Sequence, residues 1–519
     1  MNSKKSLTIS LFTKLILLVV LALLPRLLLL LKPDIITVDG MIYIKMAKLF
    51  GEGSYARIPG NYFNLYPILI FLAQKFVGDW ELSAQMISVF FGSLTVVPVF
   101  LVGRSLYDER IGWFSAIFYI VLPDLLKFDI QVIRDPIMWF FAATSLWLVW
   151  EGNNRNRLLP FALASISIGL GALTRVEGTI LWGALVLYTV FQKRWGTKIR
   201  RKVVHLTLLI LVFPVLLVPT LPFLKKDFGQ IAIHEMTSFS FNFIMNSSRM
   251  ILKPLDPIKA MEERVYDSLP QISKNSLVSA KRHRITLAVS EVIHRFLKSA
   301  NFLVLLILLG IWKRKREGFV AADRYLLLIF AVLFFMSVFY ARHIYYFSTR
   351  HGMTLALPVL LFAGHGLDFS AEAFSRGFGR FAFRWPFARK HFIHLLTIFF
   401  IIVFLIQGVS FKSSGKYIQK ETGLWLKENG YQGSVIMGPK AFLRLPFYAD
   451  GKFLEMPDSW DKVAESIRQN EVKIVVVDPS TIDQDCAGFS GNWSRAGLST
   501  IQGPEGAGRK CSIQIFRIP

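Results

Sequence analysis

The sequence predicts a polytopic α-helical membrane protein of about eleven spans, carrying a small C-terminal α/β domain. Three observations predict it. Hydrophobic residues make up 53% of the 519 and charged residues only 18%, against about 25% charge in a soluble domain. The apolar residues gather into runs long enough to cross ~30 Å of hydrocarbon as helices. After residue 410 the composition changes sharply, and short apolar runs alternate with amphipathic ones.

The chain begins MNSKKSLTIS and continues apolar through Leu31. The basic flank suits a signal peptide, but the core is too long and lacks a small-residue cleavage site, so it reads as a retained first span. The expected spans are 10–31, 82–104, 112–128, 136–150, 158–174, 178–192, 203–223, 299–312, 324–341, 352–368 and 392–410. NLYPILIFLAQKFVG (64–78) is apolar but short, as befits an interfacial or re-entrant segment.

The formal net charge of +25 would suggest nucleic acid in a soluble protein. Here the basic residues crowd into short loops. QKRWGTKIRRK (192–202) holds six and no acid, KRKR (313–316) holds four, and 376–390 holds five and no acid. By span count these loops share a side with Lys4 and Lys5, which is the positive-inside pattern. No nucleic-acid partner is expected. The pattern puts 32–81, 129–135, 224–298, 342–351 and everything after 410 outside. The expected location is a bacterial inner membrane, with the N-terminus cytoplasmic and the C-terminus periplasmic.

Two outer regions are large. Residues 224–298 show helical periodicity, as in SEVIHRFLKSANF, and read as surface helices. In 411–519, ETGLWLKENG reads as a glycine-capped helix, SWDKVAESIRQN as an amphipathic helix, and GSVIM, VKIVVVD and CSIQIFRI as strands. Alternation of that kind predicts a small α/β domain. The expected domains are therefore 1–410 and 411–519. Both cysteines, Cys486 and Cys511, lie in the second, either as a disulfide or as two separate thiols.

Two acids stand at span ends on the outer side: Asp39 in VDGMIYIKMA and Asp135 in IRDPIMWFF. Carboxylates are hard ligands for divalent cations, so the pair is a candidate metal or phosphate grip in one hollow. Each also has a structural reading as a helix N-cap, strengthened at Asp135 by Pro136. Arg134 can pair with Asp135 or with a phosphate. Arg26 sits inside span one, where a charge marks function unless it snorkels to the interface. Arg57 and Tyr62 lie in the first outer loop, either against a donor or in solvent. In LTRVEG, Arg175 either pairs with Glu177 across the turn or faces a cavity. RHIYYFSTRHG (342–352) gathers Tyr345, Tyr346, Arg350 and His351, suited to phosphate binding and sugar stacking or to interfacial anchoring.

The order DGxxYxxMA, YP, DP at span four, then LTRVEG resembles the dolichyl-phosphate-mannose protein mannosyltransferase-like group. This is glycosyltransferase family 39 of the GT-C superfamily, which also holds the lipid A aminoarabinose transferases. The resemblance is sharpest over 26–70, 131–178 and 340–366, and the C-terminal domain is similar to the periplasmic domain of many bacterial members. It implies a catalytic Asp39, an Asp135 supporting metal or phosphate, and a donor-phosphate contact from Arg350; Arg26, Arg175 and His351 are further phosphate candidates read from the residues themselves. Substrate contacts would come from Tyr43, Arg57, Tyr62, Arg134, Tyr345 and Tyr346.

Two departures stand out: Gly40 follows Asp39 where an Asp-Glu pair is common, and LYPILI lacks the lysine of aminoarabinose transferases. The first counts against metal dependence, the second against aminoarabinose. The implied reaction moves a sugar from a polyprenyl-phosphate donor to a lipid, glycan or protein acceptor with inversion, room being left for a divalent metal. The competing readings are a lipid or solute transporter, which would call for repeated halves and broken helices, a sensor or assembly scaffold, and a whole-oligosaccharide transferase.

Overall fold

A computed structural model describes residues 10–32, 34–54, 64–192, 199–217, 282–344, 347–378, 388–410, 417–469, 471–479, 486, 489–493, 498–501 and 513–518. The chain divides into two compact units. One comprises Met1–Leu29 with Met46–Ser410, the other Leu30–Lys45 with Phe411–Pro519. The segment following the first helix thus groups with the C-terminal residues.

The expected spans fall on helices wherever they are described; 218–223, the end of the seventh, lie outside the described residues. Among the described residues, four helices are long and apolar enough to cross a membrane: Leu11–Leu30, Trp80–Leu106, Ala321–His343 and His391–Gly408. The count rises to seven if each bent pair is one span. Leu65–Val77, Leu158–Thr174 and Glu177–Phe191 are shorter apolar helices.

The bends are a feature that a hydropathy reading does not resolve. Expected span 112–128 is Glu109–Val121 and Pro123–Asp129, turned by 60°. Pro123 begins a new helix, and the residue before a proline is pushed out of the helical region; Leu122 is extended, with ψ 120°. Expected span 352–368 is Thr349–Val359 and a helix from Phe362, turned by 65° just past Pro358. The amphipathic Arg284–Ala300, legible as SEVIHRFLKSA, meets Leu303–Glu317 at 102°. There Asn301 adopts φ +54°.

Close approach of backbones binds this unit, as expected where lipid is as apolar as the core. A Cβ added at Gly310 would strike the Phe362 carbonyl oxygen, and one at Gly366 the Leu306 carbonyl oxygen. Polar side chains close the remaining gaps. Tyr325 Oη donates to the Leu146 carbonyl (2.9 Å) and Trp150 Nε1 to that of Ser105 (3.0 Å). Asp323, fully buried, accepts from Tyr107 Oη at 2.7 Å and from Arg314 Nη2 at 3.0 Å.

The C-terminal part of the second unit is built on a five-stranded sheet: β1 Val435–Gly438, β2 Lys452–Glu455, β3 Val472–Val477, β4 Ser499–Ile501 and β5 Gln514–Arg517, in the order β2-β1-β3-β5-β4. β1 runs parallel to β2 and β3, while β5 is antiparallel to β3 and β4. Both faces are covered. Val475, Val477 and Phe516 pack under the Trp460–Gln469 helix with Val463, while Ile474, Val476 and Ile515 pack with Leu426 and Phe442. Cys486 is buried, and Cys511 lies outside the described residues.

Candidate active site

Four helix ends of the first unit bring Asp135, Arg175, Glu177 and His351 together. The structure starts a helix at Asp135, with Arg134 in the cap position and no side-chain cap bond. Asp135 is therefore spared from capping, and its Oδ1 accepts from Arg175 Nη1 at 2.6 Å. Arg175 ends the Leu158–Thr174 helix in extended backbone. It reaches forward two residues to Glu177, Nη2 to Oε1 at 2.6 Å and Nε to Oε2 at 3.1 Å. The expected Glu177 pairing is thus joined by an unexpected one to Asp135, both made by one guanidinium whose planar fork suits two carboxylates. Asp135 is 1% exposed and Arg175 7%.

His351 completes the group from the first turn of Thr349–Val359, its Nε2 3.5 Å from Glu177 Oε1. Its Nδ1 accepts from the Ser348 backbone N–H at 3.2 Å and lies 2.9 Å from Ser348 Oγ. An accepting Nδ1 assigns the ring proton to Nε2, facing Glu177. That turn is clamped: a Cβ on Gly352 would meet the Arg295 carbonyl oxygen at 2.7 Å, and Ser299 Oγ donates to the Thr349 carbonyl at 2.7 Å. One turn beyond Asp135, Trp139 Nε1 donates to Thr354 Oγ1 at 3.1 Å. Trp139 and Met353 also line a small apolar cavity with Tyr119 and Leu357.

Arg26 is elsewhere. Expected at a donor phosphate or snorkelling outward, it is fully buried, as is Asp129. Arg26 Nε donates to Asp129 Oδ2 at 2.8 Å and Nη1 to the Ala22 carbonyl at 2.7 Å. Nη2 lies 2.7 Å from the same carboxylate oxygen without hydrogen-bond geometry. The guanidinium also sits over the Tyr119 ring, 5.6 Å from its centroid. Snorkelling is ruled out by this burial. Sequence reasoning missed Asp129, although a charge inside a span signals that a partner exists.

Asp39 and Tyr43 belong to the second unit, on the Val38–Gly51 helix. Asp39 does not serve as the N-cap: Thr37 Oγ1 accepts from the Gly40 N–H at 2.9 Å, leaving Asp39 in the first turn. Asp39 is half-buried and Tyr43 buried. Arg134 and Arg350 are half-buried in the first unit, Arg350 beside His351. Arg57, Tyr62, Tyr345 and Tyr346 lie outside the described residues.

Asp135 and Glu177 do not fit a divalent ion as they stand. Arg175 holds one oxygen of Asp135 and both of Glu177, leaving Asp135 Oδ2 buried without a hydrogen-bond partner. Among the described residues no group of three His, Cys, Asp or Glu is arranged to hold a metal.

Comparison with solved structures bears out the expected fold of many packed helices with a small sheet domain. The oligosaccharyltransferase of Archaeoglobus fulgidus, solved with zinc and sulfate, matches at TM-score 0.60 and 12% identity, over 96% of this chain and 72% of that one. ArnT of Cupriavidus metallidurans bound to undecaprenyl phosphate matches at TM-score 0.56 and 13% identity, over 98% of both chains. A. fulgidus AglB with an inhibitory peptide and a dolichol-phosphate matches at 0.56 and 14%, over 91% of this chain and 70% of that one. Residues 65–222 match the family model described as dolichyl-phosphate-mannose-protein mannosyltransferase. No curated protein matches the chain.

Proposed function

We propose that this chain is a glycosyltransferase of a bacterial inner membrane, moving a sugar from a polyprenyl-phosphate donor to a lipid, glycan or protein acceptor outside the cytoplasm. The observation that carries the reading is the buried Asp135–Arg175–Glu177–His351 network, in a fold shared with proteins solved with undecaprenyl phosphate and dolichol-phosphate. A cluster of buried ionisable groups in a membrane protein is a functional-site hypothesis by default.

In this reading the acceptor hydroxyl or amine attacks the anomeric carbon from the face opposite the phosphate. The bond from that carbon to the phosphate oxygen breaks, and polyprenyl phosphate leaves with the electron pair. Asp39, in the first turn of its helix, takes the acceptor's proton. Arg350 meets the charge developing on the leaving phosphate. Asp135 is held in place by Arg175 for the acceptor or sugar, its Oδ2 being the open hydrogen-bond acceptor.

The bent helices favour one competitor, since transporters use broken helices at substrate sites. One experiment separates the two. Mass spectrometry of lipid, glycan and protein fractions, with and without the chain, identifies a transferase by a fraction that loses a sugar. Asp39→Asn is expected to reproduce that loss with protein level and insertion unchanged. Full transfer by Asp39→Asn removes Asp39 from the mechanism, and an unchanged sugar inventory in all fractions favours the transporter.

A further inference from the structure

We propose that Tyr448 of the C-terminal α/β domain is a positioning residue for Asp39, so that this domain sets whether the catalytic loop is competent; this rests on the reading of Asp39 as the base. The argument begins with one backbone amide. The Ile36 N–H donates to Tyr448 Oη at 2.9 Å across 412 positions of sequence. Ile36 is 3% exposed and Tyr448 6%. A buried backbone donor without a partner is costly, and here the partner is a single side-chain hydroxyl from the far end of the chain.

The bonded amide lies just before the turn that presents Asp39. Asp34 Oδ1 accepts from the Ile35 N–H at 2.8 Å, and Thr37 then caps the helix through Gly40 and, by its carbonyl, Met41 (3.1 Å). Asp39 stands three residues beyond Ile36, inside that first turn. A shift at Ile36 therefore passes directly into the cap and the carboxylate.

Tyr448 is itself firmly seated. It ends the short Leu445–Tyr448 helix, and the Lys420 ammonium lies 5.2 Å from its ring centroid. The Tyr417–Leu426 helix presses against it: a Cβ built on Gly423 would be 2.7 Å from the Tyr448 Cβ and 2.5 Å from the Leu445 carbonyl oxygen. Arg444, half-buried, adds its charge beside Tyr448 and Asp34. Anything that moves the Tyr417–Leu426 helix, including an acceptor docking on this domain, moves the hydroxyl that holds the loop.

The test uses the full chain in phospholipid nanodiscs. Tyr448→Phe keeps the ring and removes only the hydroxyl. Amide hydrogen exchange over 34–45 is expected to quicken by about three- to tenfold, the range of one lost hydrogen bond, with β1 and β3 unchanged. Gly423→Ala, which shifts Tyr448 without touching the loop, is expected to do the same. In cells, both variants should lower the sugar-bearing product while protein level holds. Unchanged exchange over 34–45 overturns the proposal, as does faster exchange with undiminished product. If the wild-type chain forms no such product the transferase reading fails instead, and the exchange result still decides whether Tyr448 holds the loop.

Discussion

Neutralising Arg26 alone is the sharpest perturbation of the membrane unit. Arg26→Met keeps the aliphatic stem and removes the guanidinium that serves Asp129, the Ala22 carbonyl and the Tyr119 ring. Asp129, fully buried, would then have no cation. It has no room to turn away, because Gly92 lies against it so closely that a Cβ there would overlap the carboxylate. Removing one partner of a buried pair costs about 3–5 kcal/mol, whereas replacing both with apolar groups of similar volume is often neutral or stabilising. The assay is the unfolding free energy of the full chain in mixed micelles, read as a double-mutant cycle. Arg26→Met is expected to lose about 3–5 kcal/mol, and Arg26→Met with Asp129→Leu to recover most of it. A single variant within about 1 kcal/mol of the parent would refute the reasoning, as would a double variant no more stable than Arg26→Met.

Two further predictions concern the polar network. Arg175→Ala removes the guanidinium from buried Asp135 and half-buried Glu177 and is expected to cost about 3–5 kcal/mol, whereas Glu177→Gln keeps the Asp135 pair and is expected to fold; unfolding in the same micelles compares them. Arg350→Ala is expected to raise the donor concentration needed for half-maximal transfer. An unmoved donor dependence returns Arg350 to interfacial anchoring.

Much of the architecture was legible because hydropathy measures the property the bilayer selects. Where described, the expected spans are helical, some as bent pairs, and VKIVVV was legible as β3 because both its faces are covered, which makes such strands continuous apolar runs. The edge strands β2 (KFLE) and β4 (STI) escaped notice because they are short and mostly half or fully exposed, which leaves no apolar run. In the candidate site, residue types were legible and most pairings were not. LTRVEG showed the Arg175–Glu177 contact because the partners stand only two positions apart. Arg26 and Asp129 stand 103 positions apart, and Ile36 and Tyr448 stand 412 apart. Local spacing carries no record of such contacts; a buried charge says only that a counterpart exists.

The charge balance of the network also reassigns work among the arginines. Two carboxylates, one guanidinium and an imidazole with its proton on Nε2 sum to one net negative charge. A phosphate brought to within about 4 Å of an unmatched carboxylate meets a repulsion on the order of 4 kcal/mol at an effective dielectric of 20. Three of the five N–H groups of Arg175 already serve Asp135 and Glu177, so a donor phosphate on this side chain would stand beside both carboxylates and meet that repulsion. Arg26 faces the stricter version, since its release would strand a fully buried Asp129. Both arginines are thus better matched to carboxylates than to a ligand that comes and goes. In the proposed mechanism the phosphate role therefore stays with Arg350, half-buried next to His351.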